Sequence, residues 1–285
     1  MKKIGWIGLG NMGIPMAAQL LKASYPVTVY NRSKEKESAL TAIGAAVAES
    51  PEALSRESDV VIVMVTDDQA ITAVFEGEKG LIRGQIDGKV IINMSTVSPA
   101  ISKKMDELCK LQNCRYLDAP VSGSVKQAET GQLVIMAGGA KSAFEEVKPI
   151  FDVLGKLSKW VGDTGAGNIA KLAINSLLAL YTQGLAETIL FASEKGIQPA
   201  DLLELIGNAA IGNVYTKIKG EAILNDDYKA AFALKHIVKD LRLARDEGIS
   251  SPLAKTALST YERAQAQYGE EDLVAIIKAL KSLNG

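Results

Sequence analysis

A glycine-rich turn near the start of the chain constrains the fold more than any other feature. The sequence Gly8-Leu9-Gly10-Asn11-Met12-Gly13 is a GxGxxG motif between the apolar segment Lys2–Gly8 and a helical pattern over Ile14–Ala23. In a βαβ unit the first glycine permits a tight turn, the second admits a pyrophosphate, and the third allows the helix to pack closely on the strand. Backbone N–H groups at the helix N-terminus then hold the phosphates. The motif predicts a dinucleotide site at Gly8, Leu9, Gly10, Asn11, Met12 and Gly13.

Strand and helix patterns continue to alternate over the first 160 or so residues. Several of the strand segments are apolar throughout, which is typical of strands buried on both faces of a parallel sheet. The predicted strands are Lys2–Gly8, Val27–Asn31, Asp59–Val65, Lys89–Ser95, Tyr116–Pro120 and Leu133–Ala137. The predicted helices between them are Ile14–Ala23, Lys34–Ile43, Pro51–Arg56, Gln69–Phe75 and Pro99–Leu111. This order indicates an α/β fold with a doubly wound Rossmann-type domain.

The character of the chain changes after the glycine-rich segment 162–167. Only helical patterns follow it, over 168–195, 199–207, 213–224, 235–248, 251–268 and 270–283. Pro199 and Pro252 suit the first turns of their helices, and Asp201 and Asp272 lie near helix starts. We therefore predict two domains, a dinucleotide-binding domain over residues 1–163 and an all-α domain over 164–285.

The scarcity of histidine excludes several kinds of site. The 285 residues include one histidine, His236, and two cysteines. A zinc site built from several histidines is therefore excluded, and we expect no metal. Two cysteines form no disulfide framework, which favours a reducing, cytoplasmic compartment.

Charge and hydropathy also limit the partners. The net charge of −1, from 32 basic and 33 acidic residues, provides no bulk attraction to nucleic acid or to an anionic membrane. The apolar segment 169–192 contains Lys171, Asn175, Gln183 and Glu187, which argues against a membrane span. We expect neither nucleic acid nor membrane as a partner.

The end of the second predicted strand bears on the choice of dinucleotide. An Asp or Glu about 20 residues after the glycines would bind the ribose hydroxyls of NAD. This chain has Asn31-Arg32-Ser33 there, an arginine and a hydroxyl that suit the 2′-phosphate of NADP. The alternative is that Arg32 points into solvent and binds no phosphate. NADP is the expected cofactor, with NAD as the alternative.

Three further segments carry candidate chemistry. In Asp118–Ser124, Ser122 and nearby backbone N–H groups could bind a carboxylate, although an ordinary loop has similar residues. Asn168, Lys171 and Asn175 share one helical face. Burial on that face could lower the pKa of Lys171 towards the range useful for proton transfer. The alternative is a lysine that is simply exposed to solvent. Near 232–241, Lys239 could reach a cofactor and Asp240 could orient a neighbour, or both could be surface charges. His236 in that segment is interpreted as structural.

Taken together, these segments resemble the β-hydroxyacid dehydrogenase family, which includes 3-hydroxyisobutyrate dehydrogenase-like proteins and is related to 6-phosphogluconate dehydrogenase. The resemblance extends over essentially the whole chain. Its motifs are IGWIGLGNMGIPMA (4–17), NMSTVSP (93–99), DAPVSGS (118–124), GAGNIAKLAIN (165–175) and LKHIVKDLRLA (234–244).

The resemblance implies a role for each matching residue. It implies Lys171 and Asn175 as catalytic residues, with Thr96 near the nicotinamide. The implied substrate-binding residues are Thr96, Ser122, Gly123, Phe232 and Asp240. The implied cofactor-binding residues are the loop Gly8–Gly13 together with Asn31, Arg32, Ser33, Val65, Thr96 and Lys239.

One departure from the family pattern affects the expected substrate. Many members have two glycines after the loop serine, whereas here Gly123 is followed by Ser124. With Arg32 and the LKHIVKD segment, this variant is most similar to NADPH-dependent glyoxylate and succinic semialdehyde reductases. Imine reductases of similar fold generally lack a lysine at the Lys171 position, which argues against that branch.

The resemblance implies an oxidoreductase that transfers hydride between NADP(H) and a small aldehyde-acid or hydroxyacid, with Lys171 as general acid and base. The products expected are glycolate from glyoxylate or 4-hydroxybutyrate from succinic semialdehyde. One alternative is a dehydrogenase of 3-hydroxyisobutyrate or another β-hydroxyacid with NAD(P). Another is a dinucleotide-binding sensor without catalysis. A homodimer or homotetramer is implied.

Overall fold

The computed structural model describes residues 1–282, which divide into two compact units. The first unit is Met1–Lys171, and the second begins at Leu172. The division falls inside a 29-residue helix, α8 in the numbering used below, that runs from Ala166 to Glu194. The domain boundary between residues 163 and 164 remains a prediction.

Among the described residues, a mixed sheet of nine strands forms the centre of the first unit. The strands are β1 Ile4–Ile7, β2 Val27–Tyr30, β3 Ala46–Val47, β4 Val60–Val63, β5 Val90–Asn93, β6 Arg115–Asp118, β7 Val121–Ser122, β8 Leu133–Gly139 and β9 Gly155–Gly162. Their order is β3-β2-β1-β4-β5-β6-β8-β7, with β9 beside β8. The first six in this order are parallel, and β8 is antiparallel to β6 and β7. The Rossmann-type fold predicted from the sequence is confirmed.

The strands at the centre of the sheet are buried on both faces, as their apolar runs predict. Every residue of β1, β4 and β5 is buried. Alternate side chains enter different apolar clusters, so that Trp6 and Ile62 belong to one cluster and Ile7 and Val63 to another. Helices cover these clusters and remove the apolar surface from water.

The helices of the first unit connect these strands. They are α1 Gly13–Lys22, α2 Ser38–Thr41, α3 Pro51–Glu57, α4 Asp68–Glu76, α5 Pro99–Lys110, α6 Val125–Glu129 and α7 Lys141–Leu154. Side chains at the N-caps of α3, α4 and α5 accept backbone N–H hydrogen bonds, which stabilises these helix starts. The helix predicted over Lys34–Ile43 is instead a 3-10 turn, Lys34–Glu37, followed by the short α2.

Some elements of the first unit carry no clear sequence signal. The strand β3 has only two residues, both exposed, and β9 mixes polar and apolar residues without a long apolar run and is partly exposed. The helix α7 contains Pro149, a residue that ordinarily ends a helix. These segments lack the apolar run or uninterrupted helical pattern on which the prediction depended.

The second unit is helical in its described residues. After α8 it contains α9 Pro199–Asn208, α10 Val214–Leu224, α11 Leu234–Asp246, α12 Pro252–Tyr268 and α13 Ile276–Lys281. The helix predicted over 270–283 begins later, because Asp272 caps a 3-10 turn, Leu273–Ala275, that precedes α13. Residue 283, the end of that prediction, lies outside the described residues. None of the helices in residues 1–282 is long and apolar enough to cross a membrane.

Candidate active-site residues

The carboxyl ends of the parallel strands lie at one edge of the sheet. The register pairs Ile7 with both Tyr30 and Val63, Val63 with Asn93, and Asn93 with Asp118. The segments that follow these strands therefore begin side by side. This edge is where ligands bind in open α/β sheets.

The glycine loop after β1 depends on two close backbone approaches. Gly8 has φ +102°, and a Cβ atom there would lie 2.0 Å from the carbonyl oxygen of Met64. A Cβ on Gly13 would lie 2.0 Å from the carbonyl oxygen of Gly8, so α1 begins in close contact with the loop. The indole N–H of Trp6, within β1, donates a hydrogen bond to Gly8 O at 3.0 Å and stabilises the turn.

This loop fits the pyrophosphate of a dinucleotide. A Cβ on Gly10 would meet no atom within 4 Å, so space beside the loop is open. The N-cap of α1 is Met12, whose side chain makes no cap hydrogen bond. In the first turn the N–H of Ile14 donates to Gly10 O at 3.2 Å and Pro15 has no N–H, which leaves the N–H of Gly13 as the donor there that suits an anion.

The turn after β2 is braced by Asn31. The Asn31 Oδ1 atom accepts a hydrogen bond from Leu9 N–H at 2.9 Å, and its Nδ2 atom donates to Ser33 O at 2.8 Å. Asn31 therefore ties the glycine loop to the turn that carries Arg32. Arg32 is exposed and Ser33 is half-buried.

Sequence reasoning missed a carboxylate at this turn. The Glu37 Oε1 atom accepts a hydrogen bond from the backbone N–H of Asn31 at 2.9 Å and lies 3.0 Å from Lys34 Nζ. The prediction considered only the residues that directly follow β2, whereas the 3-10 turn brings a later glutamate back to the strand end. Its signal in the sequence was a glutamate in the next turn, which is too common to be diagnostic.

The segments after β4 and β5 are joined by Ser95. Its Oγ atom accepts a hydrogen bond from Val65 N–H at 2.9 Å, and its own N–H donates to Asn93 Oδ1 at 3.0 Å. The structure thus brings Val65 close to the segment that carries Thr96. Thr96 is half-buried.

Asp118 caps the start of α8. The Oδ1 atom accepts from Gly165 N–H and the Oδ2 atom from Asn168 N–H, both at 2.8 Å. Burial raises the pKa of Asp118 to about 6, and these backbone hydrogen bonds act in the opposite direction by stabilising the carboxylate. The segment Asp118–Ser124 therefore contains a structural carboxylate at its start, four residues before the candidate Ser122.

Asn168 links this cap to the segment after β5. Its Oδ1 atom accepts from Val97 N–H at 3.1 Å, and its Nδ2 atom donates to Ser102 Oγ at 3.1 Å. Asn168 is fully buried, so its side-chain amide makes these hydrogen bonds in the interior of the first unit. Lys171 lies three residues further along α8 and is half-buried.

The loop after β6 places Ser122 and Gly123 next to a helix start. Ser122 is half-buried at the end of β7, where it pairs with Val134 of β8, and Gly123 is exposed. Ser124 is the N-cap of α6, and its N–H donates to Gln127 Oε1 at 2.9 Å. Its φ of −94° is open to any residue, so the departure from the family glycine requires no strained backbone.

The second unit brings together Asn175, Asp240 and Lys239. The Asn175 Nδ2 atom donates to Asp240 Oδ2 at 2.5 Å, and Lys239 Nζ lies 2.9 Å from Asp240 Oδ1. Asn175 and Asp240 are buried, and Lys239 is half-buried. Asp240 thus orients both of its neighbours.

Phe232 and His236 form a second contact within the same unit. Their rings stack with centroids 6.3 Å apart and planes at 15°. Burial lowers the pKa of His236, and the nearby Lys239 and Lys235 lower it further. A neutral imidazole stacked on Phe232 agrees with the structural interpretation of this histidine.

Comparisons with known proteins identify the family. A family model described as the NAD binding domain of 6-phosphogluconate dehydrogenase matches residues 3–162. A second, described as the NAD-binding of NADP-dependent 3-hydroxyisobutyrate dehydrogenase, matches residues 165–280. Glyoxylate/succinic semialdehyde reductase 1 from Arabidopsis thaliana is 37% identical over 284 residues, which cover 98% of each chain.

Solved structures of similar fold agree with this result. The structure of 3-hydroxyisobutyrate dehydrogenase from Mycobacterium tuberculosis with L-serine has a TM-score of 0.90 and 30% identity, with 99% of each chain covered. Psf3 in complex with NADP+ and 2-OPP has a TM-score of 0.89 and 25% identity, with 97% of this chain and 99% of that one covered. The resemblance read from the sequence is confirmed. The chain belongs to the β-hydroxyacid dehydrogenase family and is an NAD(P)-dependent oxidoreductase that acts on CH–OH groups.

Proposed function

We propose that this chain reduces a small aldehyde-acid with NADPH, converting glyoxylate to glycolate or succinic semialdehyde to 4-hydroxybutyrate. The observation that carries the proposal is the attachment of α8 to the segment after β5. Asn168 binds Val97 N–H, so Lys171 stands one helical turn from a residue anchored beside Thr96. The similarity to the Arabidopsis reductase supports this choice of substrate class.

Lys171 is the proposed general acid. NADPH, when bound, supplies the hydride that reduces the carbonyl carbon. The Lys171 ammonium donates a proton to the carbonyl oxygen as negative charge develops there, and water later returns a proton to the lysine. In the oxidative direction the neutral amine accepts the hydroxyl proton.

The remaining residues bind and orient the substrate and the cofactor. Ser122 and the backbone N–H of Gly123 would hold the substrate carboxylate, which fixes the position of the carbonyl. Asn175, oriented by Asp240, would position the substrate or Lys171. Thr96 and Phe232 would line the substrate site, and Lys239 would contact the cofactor.

NADP is the proposed cofactor, with NAD as the alternative. The exposed Arg32 and the hydroxyl of Ser33 suit a 2′-phosphate, and Asn31 braces their turn against the glycine loop. The structure of Psf3 is a complex with NADP+, which supports the same preference.

A second candidate activity is the oxidation of 3-hydroxyisobutyrate or another β-hydroxyacid with NAD(P). The similarity to the Mycobacterium tuberculosis dehydrogenase favours it. A sensor without catalysis is the alternative of another class, and the presence of Ser122, Lys171 and Asn175 argues against it. Paired NADH and NADPH assays with glyoxylate, succinic semialdehyde and methylmalonate semialdehyde distinguish the reductase, the β-hydroxyacid dehydrogenase and the sensor. The two enzymes differ in the substrate they prefer, whereas a sensor oxidises neither cofactor.

Replacing the proposed general acid tests the mechanism. Lys171→Ala should lower kcat by about 10²–10⁴-fold, the usual contribution of general acid catalysis, while NADPH still binds. Lys195→Ala is a matched control, because Lys195 is an exposed lysine just beyond the end of α8. Near wild-type turnover by Lys171→Ala would contradict the role of Lys171.

Self-association and a cytoplasmic location complete the proposal. Large apolar side chains of the second unit are exposed, including Leu177 and Leu205 at 67% each and Phe191 at 63%, which supports a homodimer or homotetramer. Cys109 and Cys114 are buried and not joined in a disulfide, as suits a reducing compartment. Light scattering at micromolar concentration would contradict the oligomer if it found only monomer.

A further inference from the structure

We propose that the Lys34–Glu37 ion pair sets the cofactor preference, because Lys34 cancels the charge of a carboxylate that the fold holds at the end of β2. The inference rests on the proposed use of NADP. It assigns a specificity role to two residues outside the cofactor-binding set proposed above.

Glu37 is a carboxylate that the fold holds at the end of β2. Its Oε1 atom accepts the hydrogen bond of Asn31 N–H at 2.9 Å, directly after β2. An acidic group at this strand end ordinarily binds the ribose 2′-hydroxyl of NAD. Ionised and uncompensated, it would repel a 2′-phosphate.

Lys34 is held against this carboxylate by several contacts. Its ammonium lies 3.0 Å from Glu37 Oε1, donates a hydrogen bond to Ala48 O at 3.3 Å, and lies 4.5 Å from the centroid of the Tyr30 ring. The side chain of Glu37 is only 8% exposed, whereas that of Lys34 is 53% exposed. The buried carboxylate is therefore covered on its outer side by a cation.

This arrangement changes what the carboxylate can do. The Oε1 atom already accepts two hydrogen bonds within the protein, from Asn31 and from Lys34. The positive charge of Lys34 balances the negative charge, so the strand end presents no net negative charge from this pair. The site then tolerates a phosphate beside Arg32, and removing Lys34 would make it selective against that phosphate.

A double-mutant cycle on the full chain tests the pair, with binding of NADPH and NADH measured by fluorescence titration. Lys34→Met should weaken NADPH by about tenfold and change NADH by less than about twofold, since only NADPH carries the 2′-phosphate. Adding Glu37→Gln to Lys34→Met should restore NADPH affinity to within about threefold of wild type. Lys34→Arg, which keeps the cation, should remain within about twofold.

Lys22→Met is the matched control, because it removes an exposed lysine at the end of α1 and makes the same change in net charge. An equal loss of NADPH affinity with and without Glu37→Gln would show that Lys34 acts directly on the phosphate, and would overturn the proposal. An equal loss for NADPH and NADH would also overturn it. If the Glu37→Gln variants do not fold, a tenfold loss in Lys34→Arg overturns the proposal without them.

The proposed NADP preference fails separately. A wild-type chain that binds NADH as tightly as NADPH contradicts that preference. The coupling between the Lys34 and Glu37 substitutions is still measured in that case and still decides whether the pair acts as proposed.

Discussion

Replacing Asp118 with asparagine should change how stability depends on pH. Asp118 is fully buried, and burial raises its pKa from an ordinary 3.8 to about 6. Asp118→Asn keeps the shape of the side chain and removes its titration. It also exchanges one of the two oxygens that accept the N–H groups of Gly165 and Asn168 for an amide nitrogen.

The magnitude follows from the difference between the two pKa values. Each pKa unit corresponds to about 1.4 kcal/mol, so the rise from 3.8 to about 6 amounts to about 3 kcal/mol. The folded carboxyl group holds its proton up to about pH 6, whereas the unfolded one releases it near 3.8. The contribution is therefore complete below pH 3.8 and is lost as the pH rises to about 6.

The assay is urea denaturation of wild type and Asp118→Asn at intervals from pH 5 to pH 7. Subtracting the two free energies of unfolding removes the contributions of groups that titrate alike in both proteins. The free energy of unfolding of wild type should fall relative to that of the variant by roughly 1 kcal/mol over this range.

Two results would refute this reasoning. One is a difference between the proteins that stays constant from pH 5 to pH 7, and the other is a difference that moves in favour of wild type as the pH rises. An NMR titration of the Asp118 carboxyl carbon is the direct check, and a midpoint near 4 would likewise contradict the effect of burial.

Further substitutions test the cofactor loop and the start of α8. Arg32→Glu should weaken NADPH at least tenfold more than NADH in a binding titration, and equal effects would show that Arg32 does not contact the 2′-phosphate. Gly8→Ala should lower the free energy of unfolding by about 2 kcal/mol or more, because its Cβ would lie 2.0 Å from Met64 O. Gly10→Ala should leave stability nearly unchanged and weaken the cofactor, and comparable unfolding of both glycine variants would contradict the distinction. Asn168→Ala should cost about 1–3 kcal/mol in urea denaturation, because Val97 N–H loses its buried acceptor, and a cost below about 0.5 kcal/mol would contradict that bond.

The main elements of the first unit could be predicted from local patterns. The apolar runs at Ile4–Ile7 and Val60–Val63 indicate buried parallel strands because both faces of such strands are covered. The strand β9 and the helix α7 could not be found in this way. The first has no long apolar run and is partly exposed, and the second contains Pro149, so neither shows the pattern that its conformation usually requires.

The candidate residues show the same limit. Helical spacing put Asn168, Lys171 and Asn175 on one face and suggested a single polar stripe. The structure gives the two asparagines different partners, Val97 and Ser102 for Asn168 and Asp240 for Asn175. Spacing along a helix determines the direction of a side chain, but the partner comes from a distant part of the chain.

By itself, the sequence determined the class of fold, the position of the glycine loop and the family, because these depend on short segments whose residue types have direct local consequences. Tertiary structure alone decided which charges meet. It placed Glu37 on Asn31 N–H beneath Lys34, and it brought Asp118 to the start of α8 across 50 residues of sequence. Burial then changes the pKa of Asp118, and pairing cancels the charge of Glu37, because both effects depend on distances between groups that local sequence patterns do not specify.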